Sequence, residues 1–486
     1  MLLGSAGCGE AVPSPSARGV GGIASAGTAG ELTASGSAGA LTAGGASSAG
    51  AGGALATTAG AASGGTGGSA GTAAMAGAPS GGSAGAAPVS DVDPSTLTGR
   101  HLFGYQGWFS CPGDGGANRW VHWFRSNTPS AANATFDLWP DVSELGDDEL
   151  FATDLSMPGG GSGRLYSAYK AKTVARHFAW MKTAGIDGVF VQRFLADVKN
   201  AATRKIRDQV LNNVRAGAEA NGRVFAIMYD ISGATESTLV TDLEAEWQHL
   251  VTDLKITDSP RYQRHAGKPV LAIWGLGFGD RPGTAAQAKK LLDDLHGGPA
   301  PVSILGGVPT GWRTLDDDSK TDAGWAPVYR AFDVVSPWSV GRYTNDAGAD
   351  KFRTDHITPD LAELKPLNVG YMPVVFPGFS WHNLNGAALN QIPRRGGAFY
   401  WRQVFNALQA GSTMLYGAMF DEVDEGTAFF KIAPNRAALP AQGTFVAWDA
   451  DGANLPSDWY LRLGGAATRS LRGELALSPQ MPLKPP

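Results

Sequence analysis

The sequence predicts an α/β protein, a (β/α)8 TIM barrel preceded by a disordered linker rich in Gly, Ala, Ser and Thr. Three observations predict it. Eight apolar, β-rich runs recur after residue 100, helical stretches lie between most of them, and a long uncharged tract stands before the first run. Near-continuously apolar strands alternating with helices belong to a parallel sheet covered on both faces. About 390 residues in one such unit suit a barrel with insertions.

The tract comes first. From Leu32 to Ser90 no residue is charged, and no Phe, Trp or Tyr precedes Phe103. Such a composition cannot bury enough apolar surface to offset the entropy of ordering it, so 11–95 reads as a linker. About 80 residues of flexible chain span roughly 50 Å r.m.s., the reach of a tether. Ahead of it, "MLLGSAGC" resembles the lipid-attachment box of bacterial lipoproteins, with Ser5-Ala6-Gly7 before Cys8 and Ser5 where Leu is usual. The resemblance implies a truncated signal over 1–10, a lipid anchor to a membrane through Cys8, and a bacterial extracellular or cell-surface location.

The eight runs are 101–109 ("HLFGYQGWF"), 186–194, 223–232, 268–277, 302–309, 333–338, 369–379 and 412–420 ("STMLYGAMF"). Between the first two, "AYKAKTVARHFAWMKTAG" carries Val174, Phe178 and Met181 on one amphipathic helical face. An open doubly wound sheet is the other arrangement of such a pattern, but "GYQGWF" lacks the glycine spacing of a dinucleotide loop. The barrel domain is expected over 96–475, closed by a helix around "DWYLRLGG", and 476–486 as a frayed tail.

Composition removes several function classes. A net charge of -5 gives no support to nucleic-acid binding. No uninterrupted apolar run of 18 residues is present to span a membrane. Two cysteines make no disulfide framework, and Cys111 is expected as a buried thiol. The eight histidines include no His-x-His or His-Glu-x-x-His, so no metal or other cofactor is expected. No Gly-x-Ser-x-Gly elbow occurs after residue 100. A monomer is expected.

In such barrels the chemistry sits past the C-terminal ends of the strands. Those ends carry Tyr105 and Trp108, Gln192 and Arg193, Tyr229 and Asp230, Trp274, Trp338, Trp381 and His382, then the four acids of "FDEVDEGT", 420–427. Trp120 and His122 in "RWVHWF" lie in the long first loop, where a sugar subsite competes with local packing. Arg342 and Tyr343 also lie near the rim, and Asp141 is expected to fix its loop. A pyranose stacks its apolar face on Trp or Tyr while its hydroxyls need directional donors and acceptors. Glycosidic cleavage then needs two carboxyl groups, one protonated and one ionised. Glu422 and Glu425, three apart just past a strand end where Gly426 lets the chain turn, can both face the barrel axis. Asp421 and Asp424 are expected to position neighbouring loops.

"FDEVDEGT", with "GYQGWF", "SPWSVGRY", "FPGFSWHN" and "FYWRQVFNAL", resembles the glycoside hydrolase family 99 endo-α-mannosidases and the related family 71-like barrels often labelled xylosidase or arabinosidase. The resemblance runs from about Gly104 to Lys431, and the Glu-x-x-Glu-Gly-Thr block is its most specific part. It implies a retaining, metal-independent reaction through a 1,2-anhydro sugar, in which Glu422 takes the proton of the 2-hydroxyl and Glu425 is general acid, then base. Val423 and Asp424 stand where endo-α-mannosidases commonly have an aromatic residue and a histidine, which separates the mechanism from the mannose specificity. Two further readings stay open: another specificity on the same barrel (glucan, xyloside or arabinoside), and a non-catalytic glycan-binding barrel.

Overall fold

A computed structural model describes residues 90–485. Cys8 and most of the expected linker lie outside those residues. The strands are β1 (His101–Tyr105), β2 (Leu150–Ser156), β3 (Ser162–Tyr166), β4 (Gly188–Phe194), β5 (Val224–Asp230), β6 (Arg264–His265), β7 (Lys268–Trp274), β8 (Ser303–Val308), β9 (Val334–Pro337), β10 (Gly370–Tyr371), β11 (Val374–Val375) and β12 (Leu415–Gly417). Nine of them form one parallel, curled path in the order β10-β9-β8-β7-β5-β4-β1-β12-β11. Its two ends are halves of one stretch, 370–375: Tyr371 pairs with Val335 on one side, and Val375 with Gly417 on the other. Pro373 cannot donate to a ladder and interrupts the run, but its carbonyl accepts the Tyr416 N–H at 3.0 Å. The fold is TIM-barrel-like.

Each of the eight sequence runs contains a strand of this path, and most stop short of the expected C-terminal end because the chain there turns into the rim loops. Helix α1 (Ala171–Ala184) follows β3, α2 (Leu195–Val198) and α3 (Ala201–Asn221) both follow β4, and α4 (Leu239–Thr252), α5 (Ala285–Gly297) and α6 (Trp325–Tyr329) follow β5, β7 and β8. Then come α7 (Asp346–Phe352), α8 (Thr358–Leu364), α9 (His382–Asn385), α10 (Ala398–Gln409) and the closing α11 (Trp459–Leu471). Val174, Phe178 and Met181 on α1 are all buried, as the amphipathic spacing requires. Asn200 caps α3 by accepting from the N–H groups of Ala202 and Thr203.

Parity along the strands decides which side chains enter the interior, because successive residues point to opposite faces. On β1, Phe103 and Tyr105 pack outward, against Phe429 and Phe178 respectively, while Gly104 faces inward. A Cβ at Gly104 would lie 2.2 Å from the Met419 thioether and the Tyr416 hydroxyl, so only glycine leaves room for that interior layer. The first loop carries its own antiparallel hairpin, β2–β3, turned by the glycines of 159–161.

At the N-terminal ends of the strands, residues 91–98 are packed on the body. Val92 donates its N–H to the Gly222 carbonyl, Arg264 to that of Pro94 and Gly99 to that of Thr413, and Val92 and Leu97 are buried. The far end of the chain is packed as well, since Trp401 Nε1 donates to the Ser478 carbonyl at 2.9 Å and Met481 and Leu483 touch the core.

Candidate active site

Gln106, Gln192, Met228, Asp230, Trp274, Trp338, Met419, Glu422 and Glu425 line a narrow cleft at the C-terminal ends of the strands. The ladder explains the set. Gln192 pairs with Met228, and Asp230 with Trp274, so these four share the inward parity. Gln106, one step past β1, has the parity of Gly104. The Trp274 and Trp338 rings meet edge to face at 5.6 Å. More open hollows lie elsewhere, among them one beside α4 and α5, where Lys290 already pairs with Asp294, and one at the N-terminal ends of the strands around His265 and Tyr371. The first does hold Trp247 beside Glu244, Asp293 and Asp294, but it lies against the helices, away from the C-terminal ends of the strands.

The acidic loop is pinned by its backbone before any side chain is considered. The Thr427 and Ala428 N–H groups both donate to the Glu422 carbonyl, at 3.1 and 3.0 Å, and Ser380 N–H donates to that of Glu425 at 3.0 Å. Arg394 is buried, with its guanidinium over the rings of Trp448 and Tyr460 at 4.5 and 4.7 Å. It donates to the carbonyls of Gly426 and Ala428 at 2.6 and 2.9 Å. Gly426 takes φ +67°, and a Cβ there would lie 2.6 Å from the Ser380 nitrogen. Glu422 and Glu425 therefore project from a rigid frame, which is what precise placement of reacting groups needs.

Their surroundings differ. Glu422 accepts from Gln106 Nε2 at 2.5 Å and from the Thr427 hydroxyl at 2.7 Å. Burial, then repulsion from Asp424 whenever that carboxyl is ionised, pushes its pKa up to about 8 against these donors. The Glu425 carboxyl receives no hydrogen bond among the described residues, and burial, followed by the charges of Glu422, Asp424 and Asp230, raises it well above the usual carboxylate range. Asp421 accepts the N–H groups of Gln106 and Gly107 at 2.7 and 2.9 Å, tying the end of β1 to the acidic loop. Burial still lifts it to about 7. Asp230, with the Ser232 N–H on Oδ1 at 2.7 Å, is raised by burial to about 6. The indole nitrogen of Trp274 and the amide oxygen of Gln106 are buried without partners.

Of the residues the sequence nominated, Gln192, Asp230, Trp274, Trp338, Glu422 and Glu425 line the cleft. Three others point the opposite way, for the reason of parity. Tyr105 faces α1, where its hydroxyl lies 2.9 Å from His177 Nδ1. Arg193 is buried between sheet and helices, bonded to Asp208 at 2.9 Å and to Glu246. Tyr229 is buried beside the same network. Trp120 packs edge to face on Phe124 at 5.2 Å, the local-packing outcome. Trp108 and His122 stack on each other next to the acidic loop without lining the cleft. Trp381 packs on Phe379, and His382 belongs to a loop organised by Asp137, which accepts from Ser380 Oγ and from the N–H groups of His382 and Asn383. Arg342 pairs with Asp318 and Tyr343 with Gln403, both away from the four acids. Asp141 accepts the Ser143 N–H in its own loop, and Cys111 is buried. Gln106, Met228 and Met419 complete the cleft unannounced; extending strand parity one residue past Tyr105 would have found the first.

No family model matches the chain, and no curated protein matches it. Solved structures do. The GH99 endo-α-mannosidase from Bacteroides thetaiotaomicron in complex with bis-tris-propane superposes with TM-score 0.57 at 14% identity, over 78% of this chain and 99% of that one. A second structure of the GH99 endo-α-mannosidase from that organism gives TM-score 0.56 at 14% identity, with the same two coverages. The likeness is one of fold.

Proposed function

We propose that the chain is a glycoside hydrolase on a closed (β/α)8 barrel, cleaving an α-linked glycan with retention and resembling the endo-α-mannosidases. The observation that carries it is the unequal treatment of two carboxyl groups in one cleft. Glu422, met by two donors that oppose the rise, gives up its proton before Glu425 does and so is the one to serve as the carboxylate. Glu425, buried with no donor and facing three other acids, suits the protonated form that a general acid needs. Trp274 and Trp338 supply ring faces for a sugar, and the free Trp274 N–H and Gln106 carbonyl match hydroxyl partners.

In the first step the Glu422 carboxylate accepts the 2-hydroxyl proton while that oxygen attacks C1. Glu425 gives its proton to the departing glycosidic oxygen, leaving a 1,2-anhydro sugar. In the second, the Glu425 carboxylate takes a proton from water, whose oxygen opens the anhydro ring at C1. The 2-oxygen recovers its proton from Glu422. Two displacements at C1 give net retention. Pairing of 370–375 with β9 and with β12 supports closure of the barrel around this cleft.

The test is product release by the full chain from α-mannans, α-glucans, xylosides and arabinans, beside Glu422→Gln and Glu425→Gln, with the anomer of the new end followed by NMR. Wild type is expected to release a retained anomer, and each variant to lose roughly 10² or more of the rate. Binding of a glycan with no release from any of them would instead make the chain a glycan-binding barrel.

A further inference from the structure

Asp424 is the acid of the loop whose side-chain partner is an imidazole. His122 Nδ1 lies 3.1 Å from Asp424 Oδ2, and Asp424 Oδ1 is buried with no hydrogen bond. The histidine is held there at a backbone cost, since it takes φ +60°, a region non-glycine residues seldom enter. The Thr135 hydroxyl fixes that turn by donating to the His122 carbonyl at 2.6 Å. Its ring lies flat on Trp108, centroids 3.8 Å apart and planes 4° apart, and Trp108 in turn stacks on Phe194 at 5.4 Å. A continuous line, Asp424 to His122 to Trp108 to Phe194, thus joins the acidic loop to the end of β4.

The charges on both sides disfavour an ion pair. An ionised Asp424 would stand among Asp421, Glu422, Glu425 and Asp137. The backbone N–H groups of Asp424 and Glu425 favour that form, but burial outweighs them. A protonated His122, its side chain 23% exposed, would face Arg207 and Arg119, with Asp197 the opposing acid beside Asp424. Partial burial, then the Arg207 charge, favours the neutral imidazole.

We propose that His122 and Asp424 form a neutral positioning pair, in which the Asp424 carboxyl donates its O–H to His122 Nδ1. The pair ties the first loop to the acidic loop and keeps one more negative charge away from Glu422 and Glu425. Its second role rests on the assignment of those two glutamates as the reacting groups; its first does not.

Two measurements test it. In the full-length chain with ¹⁵N-labelled histidine, the His122 signal is assigned by its loss in His122→Phe. From about pH 5 to 8 it is expected to report an unprotonated Nδ1 and a protonated Nε2. An imidazolium, or a proton on Nδ1, in that range overturns the pair. The pH profile of kcat/KM of Asp424→Asn, on the best substrate of the panel above, gives the second reading. A neutral Asp424 leaves the acid limb where wild type has it. An ionised one makes the limb move down by roughly a pH unit, because a neighbouring like charge has gone. If wild type hydrolyses nothing, the reaction assigned to the glutamates fails while the NMR measurement still decides the pair.

Discussion

Four carboxyl groups within five positions are unequal once each has met its neighbours. Backbone N–H groups hold Asp421, a glutamine and a threonine hold Glu422, an imidazole meets Asp424, and Glu425 meets the open cleft. Burial dominates in all four, so each binds its proton more tightly in the fold than in the unfolded chain. Stability from such a group is present below the unfolded value and is lost as pH rises through the folded one. For Glu422 the window runs from 4.5 to about 8. The melting temperature of wild type is therefore expected to fall across that window. Glu422→Gln should fall less steeply and melt a few degrees higher than wild type at the alkaline end, a gain in stability bought with activity. Parallel melting curves for the two proteins over the window would show that Glu422 is not strained by its burial.

Strand ends hold adjacent residues to opposite faces, which makes neighbours in sequence unequal in role. The Gln192 amide enters the cleft, with Nε2 on the Tyr416 hydroxyl at 2.9 Å, whereas Arg193 balances Asp208 and Glu246 behind the sheet. Gln192→Ala is expected to lower kcat/KM with little change in stability. Arg193→Met should instead cost about 3–5 kcal/mol, because it strands a buried Glu246. Denaturant midpoints and steady-state rates on the two variants check this, and the reverse pattern would refute the face assignment. The same rule sets what was legible beforehand. Apolar runs and helical spacing revealed eight strands, and the block after the eighth revealed the acids. Adjacent pairs such as Gln192 with Arg193 and Tyr229 with Asp230 were both nominated because composition alone does not fix parity. His122 beside Asp424 is a contact across 302 residues, made by a loop turn that no local pattern announces.

Across the whole molecule the two ends of the strands have separate tasks. The cleft occupies the C-terminal ends, while 91–98 straps the N-terminal ends by bonding at Gly222 and Arg264, just ahead of β5 and β7. Arg223 reaches the Ser90 carbonyl and Arg261 the Asp91 carboxylate, so the strap is fastened by charge as well as by Val92 and Leu97. Burying two such aliphatic side chains is worth roughly 3–6 kcal/mol, an upper figure because unfolded chains already hide part of that surface. A chain beginning at Gly99 is therefore expected to unfold at a clearly lower denaturant midpoint than one beginning at Ser90. Below the transition its kcat/KM should match, since no strap residue reaches the cleft. Equal midpoints would mean that the strap closes nothing. A lower kcat/KM in the still-folded shorter chain would mean that the two ends of the strands are coupled through the barrel wall.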